Sequence, residues 1–147
     1  MTTRKSGGAP IVYLTRRETF CAGHRLWSAA LSDADNRALF GPCAYDHGHG
    51  HNYVLEVTLR GPIDPRTGVV VNLTEVRDAT RALILEDVDH RHLNHDSELC
   101  RGINPTVENL AVLFWNVLHA RFGELMYEVR LHETEKNWAV YRGERGA

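Results

Sequence analysis

Alternating apolar and polar positions mark the strands of this chain. Across residues 53–59 the apolar side chains fall on odd-numbered positions, which is the pattern of a strand that buries one face. The same face continues backwards through His51 and His49. A turn rich in Gly and Pro at 61–68 then predicts a hairpin with a short strand at 69–71. Other β-prone runs are 11–14, with an extension to about Leu26, and then 125–131 and 138–141.

Helix-capping signals or the helical spacing of apolar residues mark three further segments. A short helix is predicted at 33–40, directly after the N-cap candidate Ser32. A second helix covers residues 73 to about 87. A third begins after Thr106, turns one apolar face inward and ends near Gly123. The inward residues predicted for this helix are Leu110, Leu113, Phe114, Val117 and Leu118.

The order of these elements predicts an α+β fold. We expect two helices on one face of a four-stranded antiparallel sheet, with residues 11–147 as a single domain behind a flexible tail at 1–10. An open sheet of this kind exposes its edge strands, and subunits that join into a closed barrel remove those edges. The pattern therefore favours an oligomer.

The composition fits a globular domain, because 43% of the 147 residues are hydrophobic and 24% are charged. Lys and Arg number 17 against 19 Asp and Glu, and the net charge of -2 gives no reason to expect nucleic acid or an anionic membrane as a partner. The first ten residues carry no apolar signal sequence, and no run approaches the roughly 20 apolar residues of a membrane span. The three cysteines do not form a disulfide framework, so we expect a soluble protein of the cytoplasm.

The strongest chemical signal is His49-Gly50-His51 at the start of a predicted strand. Residues two apart in a strand project from one face and can chelate one ion. His24 is the best candidate for a third ligand, and three imidazoles with one open position are typical of catalytic zinc. Such a pair can also arise by chance among nine histidines. His47 and His49 form a competing pair, but the strand alternation favours His49 and His51.

A cysteine and several acidic residues are further candidates. Cys43 lies six residues before His49, and a thiol becomes a base or nucleophile when a cation or metal lowers its pKa. Asp89-His90 offers a carboxylate beside an imidazole, which suits a proton relay. Glu133 lies on a mostly apolar strand face, where a carboxylate needs a partner.

Four other residues have simpler structural interpretations. Cys21 and Cys100 are interpreted as small buried hydrophobes, which is the usual role of a free cysteine. Thr106 and Glu108 fit the cap and the acidic first turn of the third helix without any ligand.

Seven ordered motifs resemble those of the 6-pyruvoyl-tetrahydropterin synthase family, which also includes the 6-carboxytetrahydropterin synthases. They are Phe20-x-Ala-x-His24-Arg-Leu, Leu39-Phe-Gly-x-Cys43, Gly48-His-Gly-His-Asn-Tyr53, Ile63-Asp-Pro-x-Thr-Gly68, Asp89-His90, Pro105-Thr-x-Glu-Asn109 and Glu133-Thr134. The resemblance spans about residues 20–142, and chance does not produce seven motifs in order. Two positions depart from the family pattern: the usual Ser is replaced around 21–23, and His47 stands where Asn is frequent.

The resemblance implies the tunnelling fold, a homohexamer built from two trimers, and active sites at subunit interfaces. It also implies a role for each matching residue. The assigned residues are the zinc ligands His24, His49 and His51, the catalytic Cys43, Asp89, His90 and Glu133, and the substrate-binding Thr106, Glu108 and Glu133. Cys43 is expected to accept a proton, Asp89 and His90 to relay it, and Glu133 to anchor a pterin.

The activity that the resemblance implies is zinc-dependent conversion of 7,8-dihydroneopterin triphosphate to 6-pyruvoyl-tetrahydropterin, a carbon–oxygen lyase reaction that releases triphosphate. The long segment from His24 to Cys43 is similar to the pyruvoyl enzymes, whereas Cys43-x-x-x-His47-Gly-His49 also satisfies the shorter spacing of the carboxy enzymes of queuosine biosynthesis. A 6-carboxy product is therefore the alternative. A zinc-binding oligomeric module without activity is a second one.

Overall fold

A computed structural model describes residues 7–147, which form an α+β arrangement of five strands and four α-helical segments. The strands are β1 Ile11–His24, β2 His49–Pro62, β3 Arg91–His92, β4 Met126–His132 and β5 Trp138–Tyr141. The helices are α1 Asp33–Phe40, α2 Leu73–Thr80, α3 Glu86–Val88 and α4 Val107–Phe122. Residues 1–6 of the predicted tail lie outside the described residues, and residues 7–10 are exposed and without regular secondary structure.

The sheet has the strand order β3-β1-β2-β4-β5. Its centre is the long antiparallel pair of β1 and β2, which runs from Ile11 opposite Pro62 to His24 opposite His49. The α+β class is confirmed, but the sheet has five strands where four were predicted. The additional strand, β3, is only two residues long and runs parallel to β1. A segment this short carries no alternation, so no periodic signal marks it.

The predicted strand at 69–71 is wrong. Within that segment Val69 accepts a hydrogen bond from the backbone N–H of Asp64 at 3.0 Å, and this closes a turn rather than a strand pair. The expected partner strand, β2, already has β1 on one edge and β4 on the other. Since a strand has only two edges, the local hairpin is displaced by the long-range pairing of β2 with β4.

The helices α2 and α4 pack on one face of the sheet, as predicted. Odd-numbered residues of β2 from Tyr53 to Leu59 are fully buried beneath them. In α4, Leu110, Phe114 and Leu118 are fully buried, and Leu113 and Val117 are partly buried against the same core. No helix among residues 7–147 is both long enough and apolar enough to cross a bilayer.

The second predicted helix is interrupted by a π-helical turn at Arg81–Leu85 between α2 and α3. A π turn adds a residue to the helical repeat and rotates the following side chains. Leu83, which the regular spacing places inward, is therefore 39% exposed, whereas Ile84 is fully buried. The helical segment ends at Val88, so that the next residues, Asp89 and His90, connect it to β3.

Candidate metal centre and active site

The three histidines predicted as metal ligands meet where β1 ends and β2 begins. His24 lies opposite His49 in the strand register, and His51 lies opposite Ala22. Because even positions of β1 and odd positions of β2 face the helices, the three imidazoles lie on one side of the sheet. Nε2 of His24 lies 3.2 Å from Nε2 of His51. One nitrogen from each imidazole and the Cys43 sulfur all lie within 4.8 Å of one another.

The turn before β2 depends on Gly48. Its φ is +69°, a conformation that favours glycine. A Cβ at this position would lie 2.2 Å from the carbonyl oxygen of His24, so only glycine permits so close an approach of the two backbones. This contact brings His49 beside His24.

His24 is held as a neutral imidazole. It is fully buried, and its Nδ1 lies 3.0 Å from the carbonyl oxygen of Pro105. A carbonyl oxygen only accepts hydrogen bonds, so Nδ1 carries the proton and Nε2 presents its lone pair to the other histidines. Burial, opposed by the bond to Pro105 and aided by the neighbouring imidazoles, lowers the pKa of His24 to about 4. Burial and His49 also lower the pKa of His51.

Cys43 lies beside this centre, with its sulfur 3.1 Å from Nε2 of His49. The loop that carries it is tied to the end of β1, because the Leu26 N–H donates to the Cys43 carbonyl at 2.7 Å. Burial, and secondarily the Glu133 carboxylate, raise the pKa of the Cys43 thiol. Without a cation beside it, this thiol therefore keeps its proton at neutral pH.

The segment between His24 and Cys43 has a buried polar centre that the sequence did not reveal. The Asn36 side chain is completely buried on α1. Its Oδ1 accepts from the Ser28 N–H at 2.7 Å, and its Nδ2 donates to the Ser28 carbonyl at 2.8 Å. The same Nδ2 lies 3.3 Å and 3.1 Å from the carbonyl oxygens of Leu31 and Ser32. The only available signal was an Asn at a helical position, and Asn at such positions is usually solvated.

A cavity of about 670 Å³ opens next to Cys43. The polar residues that line it include Cys43, Thr106, Glu108, Glu133 and Lys136. Glu133 is partly buried, with Oε1 3.6 Å from Nε2 of His51. Burial, and then repulsion from Glu108, raise the pKa of Glu133. Thr106 also accepts a hydrogen bond from the Asn109 N–H and so caps α4, which is the structural role that the sequence favoured.

Asp89 and His90 do not join this group within one chain. They lie beside Cys21, and the ligand atoms of these three residues also fall within 4.8 Å of one another. Asp89 accepts a hydrogen bond from the Cys21 N–H at 3.0 Å, and its Oδ1 lies 2.9 Å from Nδ1 of His90. Cys21 is only partly buried, so its interpretation as a buried hydrophobe is wrong, whereas Cys100 is buried as expected.

The competing histidine pair is not favoured by the geometry. His47 is exposed and does not belong to the cluster of His24, His49 and His51. Strand β2 begins at His49, so the alternation that includes His51 stops before His47. Three imidazoles and a nearby thiol are donors that suit zinc or a similar borderline ion better than magnesium or calcium.

A sequence model of the family described as 6-pyruvoyl tetrahydropterin synthase matches residues 13–144. The chain belongs to this family.

Two family members from animals are similar over most of their length. The 6-pyruvoyl tetrahydrobiopterin synthase of Drosophila melanogaster is 51% identical over 136 residues, covering 91% of this chain and 81% of the fly protein. The human protein of the same name is 39% identical, covering 98% of this chain and all (100%) of its own length. The solved structure of Caenorhabditis elegans 6-pyruvoyl tetrahydropterin synthase superposes with a TM-score of 0.87 at 40% identity, covering 94% of this chain and 99% of the other. The family resemblance found in the sequence is thus confirmed.

Proposed function

We propose that this chain converts 7,8-dihydroneopterin triphosphate to 6-pyruvoyl-tetrahydropterin with release of triphosphate, as a carbon–oxygen lyase. The observation that carries the proposal is the convergence of His24, His49, His51 and Cys43 beside a cavity that also holds Glu133. Relatives at 51% and 39% identity that are named 6-pyruvoyl tetrahydrobiopterin synthase support the pyruvoyl product over the carboxy product.

His24, His49 and His51 are the proposed zinc ligands. The neutral state of His24 supports this assignment, because a metal needs the free lone pair of the imidazole. When bound, zinc would polarise the hydroxyl groups of the substrate side chain and acidify the neighbouring C–H bonds. Cys43 is the fourth potential ligand of the cluster, so the same residues could also form a closed structural site.

Cys43 is the proposed proton acceptor. Its raised pKa means that the free thiol cannot act as a base at neutral pH, and a nearby cation is needed to produce the thiolate. Glu133 is proposed to anchor the pterin, since its partly buried carboxylate can accept two hydrogen bonds from the amino-pyrimidine edge. Thr106 and Glu108 are proposed to line the same pocket. Lys136, also on the cavity wall, is a candidate contact for the triphosphate.

Asp89 and His90 are the proposed relay partners of Cys43. Within one chain they belong to the other cluster, with Cys21. A relay that includes Cys43 therefore requires Asp89 and His90 of a second copy. This separation supports an active site at a subunit interface, and we include the homohexamer of two trimers and a cytoplasmic location in the proposal.

The test is incubation of the zinc-loaded protein with 7,8-dihydroneopterin triphosphate and identification of the products by mass. We expect triphosphate and 6-pyruvoyl-tetrahydropterin, and Cys43→Ala should lower the rate by about 10²–10⁴-fold, as loss of a general base does. The matched control is Cys21→Ala, which removes a thiol outside the proposed machinery and should leave turnover unchanged at one zinc per chain.

Two other outcomes would replace the proposal. A 6-carboxy product together with acetaldehyde would assign the chain to the carboxy branch of the family. Turnover that does not depend on Cys43, with zinc bound, would leave an oligomeric metal-binding module in which Cys43 closes a structural site.

A further inference from the structure

The cluster of Cys21, Asp89 and His90 combines three metal-binding chemistries outside the three-histidine centre. A thiol, a carboxylate and an imidazole each offer one ligand atom, and these atoms lie within 4.8 Å of one another. Cys21 and His24 are three residues apart in β1, so their side chains project from opposite faces of the sheet. Within one chain the two clusters are thus separate.

The backbone holds this cluster together. The His90 N–H donates to the Cys21 carbonyl at 2.7 Å, and Asp89 in turn accepts from the Cys21 N–H at 3.0 Å. His90 has a φ of +59° and is the only non-glycine residue among residues 7–147 with a positive φ. A left-handed conformation at a histidine is costly and persists where the surroundings enforce it. The fold therefore fixes the His90 backbone beside Cys21.

The dimensions suit a zinc ion. Zinc–ligand bonds of about 2.0–2.3 Å separate the ligand atoms of a tetrahedral ion by about 3.3–3.8 Å. Asp89 Oδ1 lies 2.9 Å from His90 Nδ1, and all the ligand atoms of the cluster lie within 4.8 Å of one another, so the observed distances bracket that spacing. Within one chain the His90 side chain is 79% exposed, and a cavity of about 460 Å³ borders Cys21 and His90. Thiolate and imidazole together select zinc over magnesium or calcium.

We propose that Cys21, Asp89 and His90 bind a second zinc ion, more weakly than the three-histidine centre, and that this ion inhibits turnover. The affinity is lower because the exposed His90 side chain must be ordered on binding, whereas His24 of the three-histidine centre is already buried and hydrogen-bonded to Pro105. On binding, the Cys21 thiol releases its proton to solvent and the thiolate coordinates the metal. The inhibition rests on the proposed function, because it assumes that His90 relays a proton and that a metal-bound His90 cannot do so. The binding of the ion does not depend on the proposed function.

Cobalt and zinc titrations test the binding. Cobalt bound to a thiolate gives a charge-transfer absorption that cobalt bound to histidine alone does not. In the Cys43→Ala variant, where Cys21 is the remaining partly exposed thiol, we expect this absorption with the second equivalent of Co²⁺. It should be absent in Cys43→Ala/Cys21→Ala. Equilibrium dialysis against Zn²⁺ should give two ions per chain for the wild type and one for Cys21→Ala.

Turnover of the zinc-loaded protein tests the inhibition. Excess Zn²⁺ should inhibit the wild type at a concentration at least about tenfold lower than it inhibits Cys21→Ala, a loss of about 1.4 kcal/mol of binding free energy. One zinc per chain in the wild type, or no thiolate absorption in Cys43→Ala, would overturn the second site. Binding without a difference in inhibition would overturn the inhibitory role. Because the cobalt signal does not require turnover, failure of the proposed function would not be mistaken for failure of this site.

Discussion

Asn36 is expected to hold the loop that carries Cys43, although it lies outside the cavity and the metal centre. It is fully buried, and its side chain makes hydrogen bonds to the backbone of Ser28, Leu31 and Ser32. The Asn36 Nδ2 has only two N–H groups to share among three carbonyl oxygens, so it donates two hydrogen bonds. Together with the one that Oδ1 accepts, the side chain makes three hydrogen bonds at a time. At about 1 kcal/mol each, Asn36→Ala should reduce the free energy of unfolding by about 3 kcal/mol.

Urea unfolding followed by tryptophan fluorescence measures this loss. With a slope of about 2 kcal/mol per molar urea, the midpoint of Asn36→Ala should fall by about 1.5 M. The control is Asp33→Asn on the same helix, an exposed position where the change should stay within about 0.5 kcal/mol. All variants must be compared at one protein concentration, because association of subunits adds to the apparent stability.

Asn36→Leu separates the hydrogen bonds from the packed volume. The leucine side chain fills a similar space but has no polar group. If the hydrogen bonds provide the stability, the Asn36→Leu variant should therefore be destabilised nearly as much as Asn36→Ala. Turnover should fall in both variants, because the segment 27–42, which contains α1, sets the position of Cys43. A loss below about 1 kcal/mol for Asn36→Ala, similar to that of the Asp33 control, would refute the reasoning.

Three further predictions concern the candidate metal centre and the cavity beside it. Gly48→Ala should lower the free energy of unfolding by about 3 kcal/mol and weaken zinc binding, because the new Cβ would lie 2.2 Å from the His24 carbonyl oxygen. The control is Gly102→Ala, where φ is also positive but no atom lies within 4 Å of the new Cβ. It should lower the free energy of unfolding by only about 1 kcal/mol in the same assay. Burial lowers the pKa of His24 from 6.5 to about 4. Between these two pH values the unfolded chain binds more protons than the folded chain. The metal-free protein should therefore lose up to about 3 kcal/mol of stability as the pH falls from 6.5 to about 4. His24→Gln should flatten that pH dependence, and an unchanged slope would contradict the buried neutral imidazole. Glu133 has a raised pKa, so its contribution to stability is complete below its unfolded pKa and is lost as the pH rises through its folded pKa. The metal-free Glu133→Gln variant should therefore be more stable than the wild type at pH 7 and equally stable near pH 4. Its turnover should fall.

Much of the fold was predictable because its signals are local. The apolar alternation from Tyr53 to Leu59 and the cap at Ser32 each involve neighbours in sequence, and both elements occur where the pattern places them. The strand at 69–71 failed for the opposite reason. Its partner edge on β2 is taken by β4, some 70 residues further along the chain, and no local pattern reports that competition.

The candidate site divides in the same way. The spacing of His49 and His51 follows from the period of a strand, so the sequence alone predicts that they share a face. The antiparallel register decides that His24 lies opposite His49, and burial decides that its imidazole stays neutral. Only the packing of Pro105 against Nδ1 fixes which nitrogen faces the centre.

The sequence by itself determined the family, the long helices and strands, and the residue types available for metal binding and proton transfer. The tertiary structure alone decided their grouping. It brought Cys43 to the three histidines, separated Asp89 and His90 from them, and placed Cys21 beside that pair. The physical reason is that periodicity and capping depend on residues within one or two turns, whereas strand register, burial and the pKa of a group depend on contacts between distant segments, which exist only once the chain has folded.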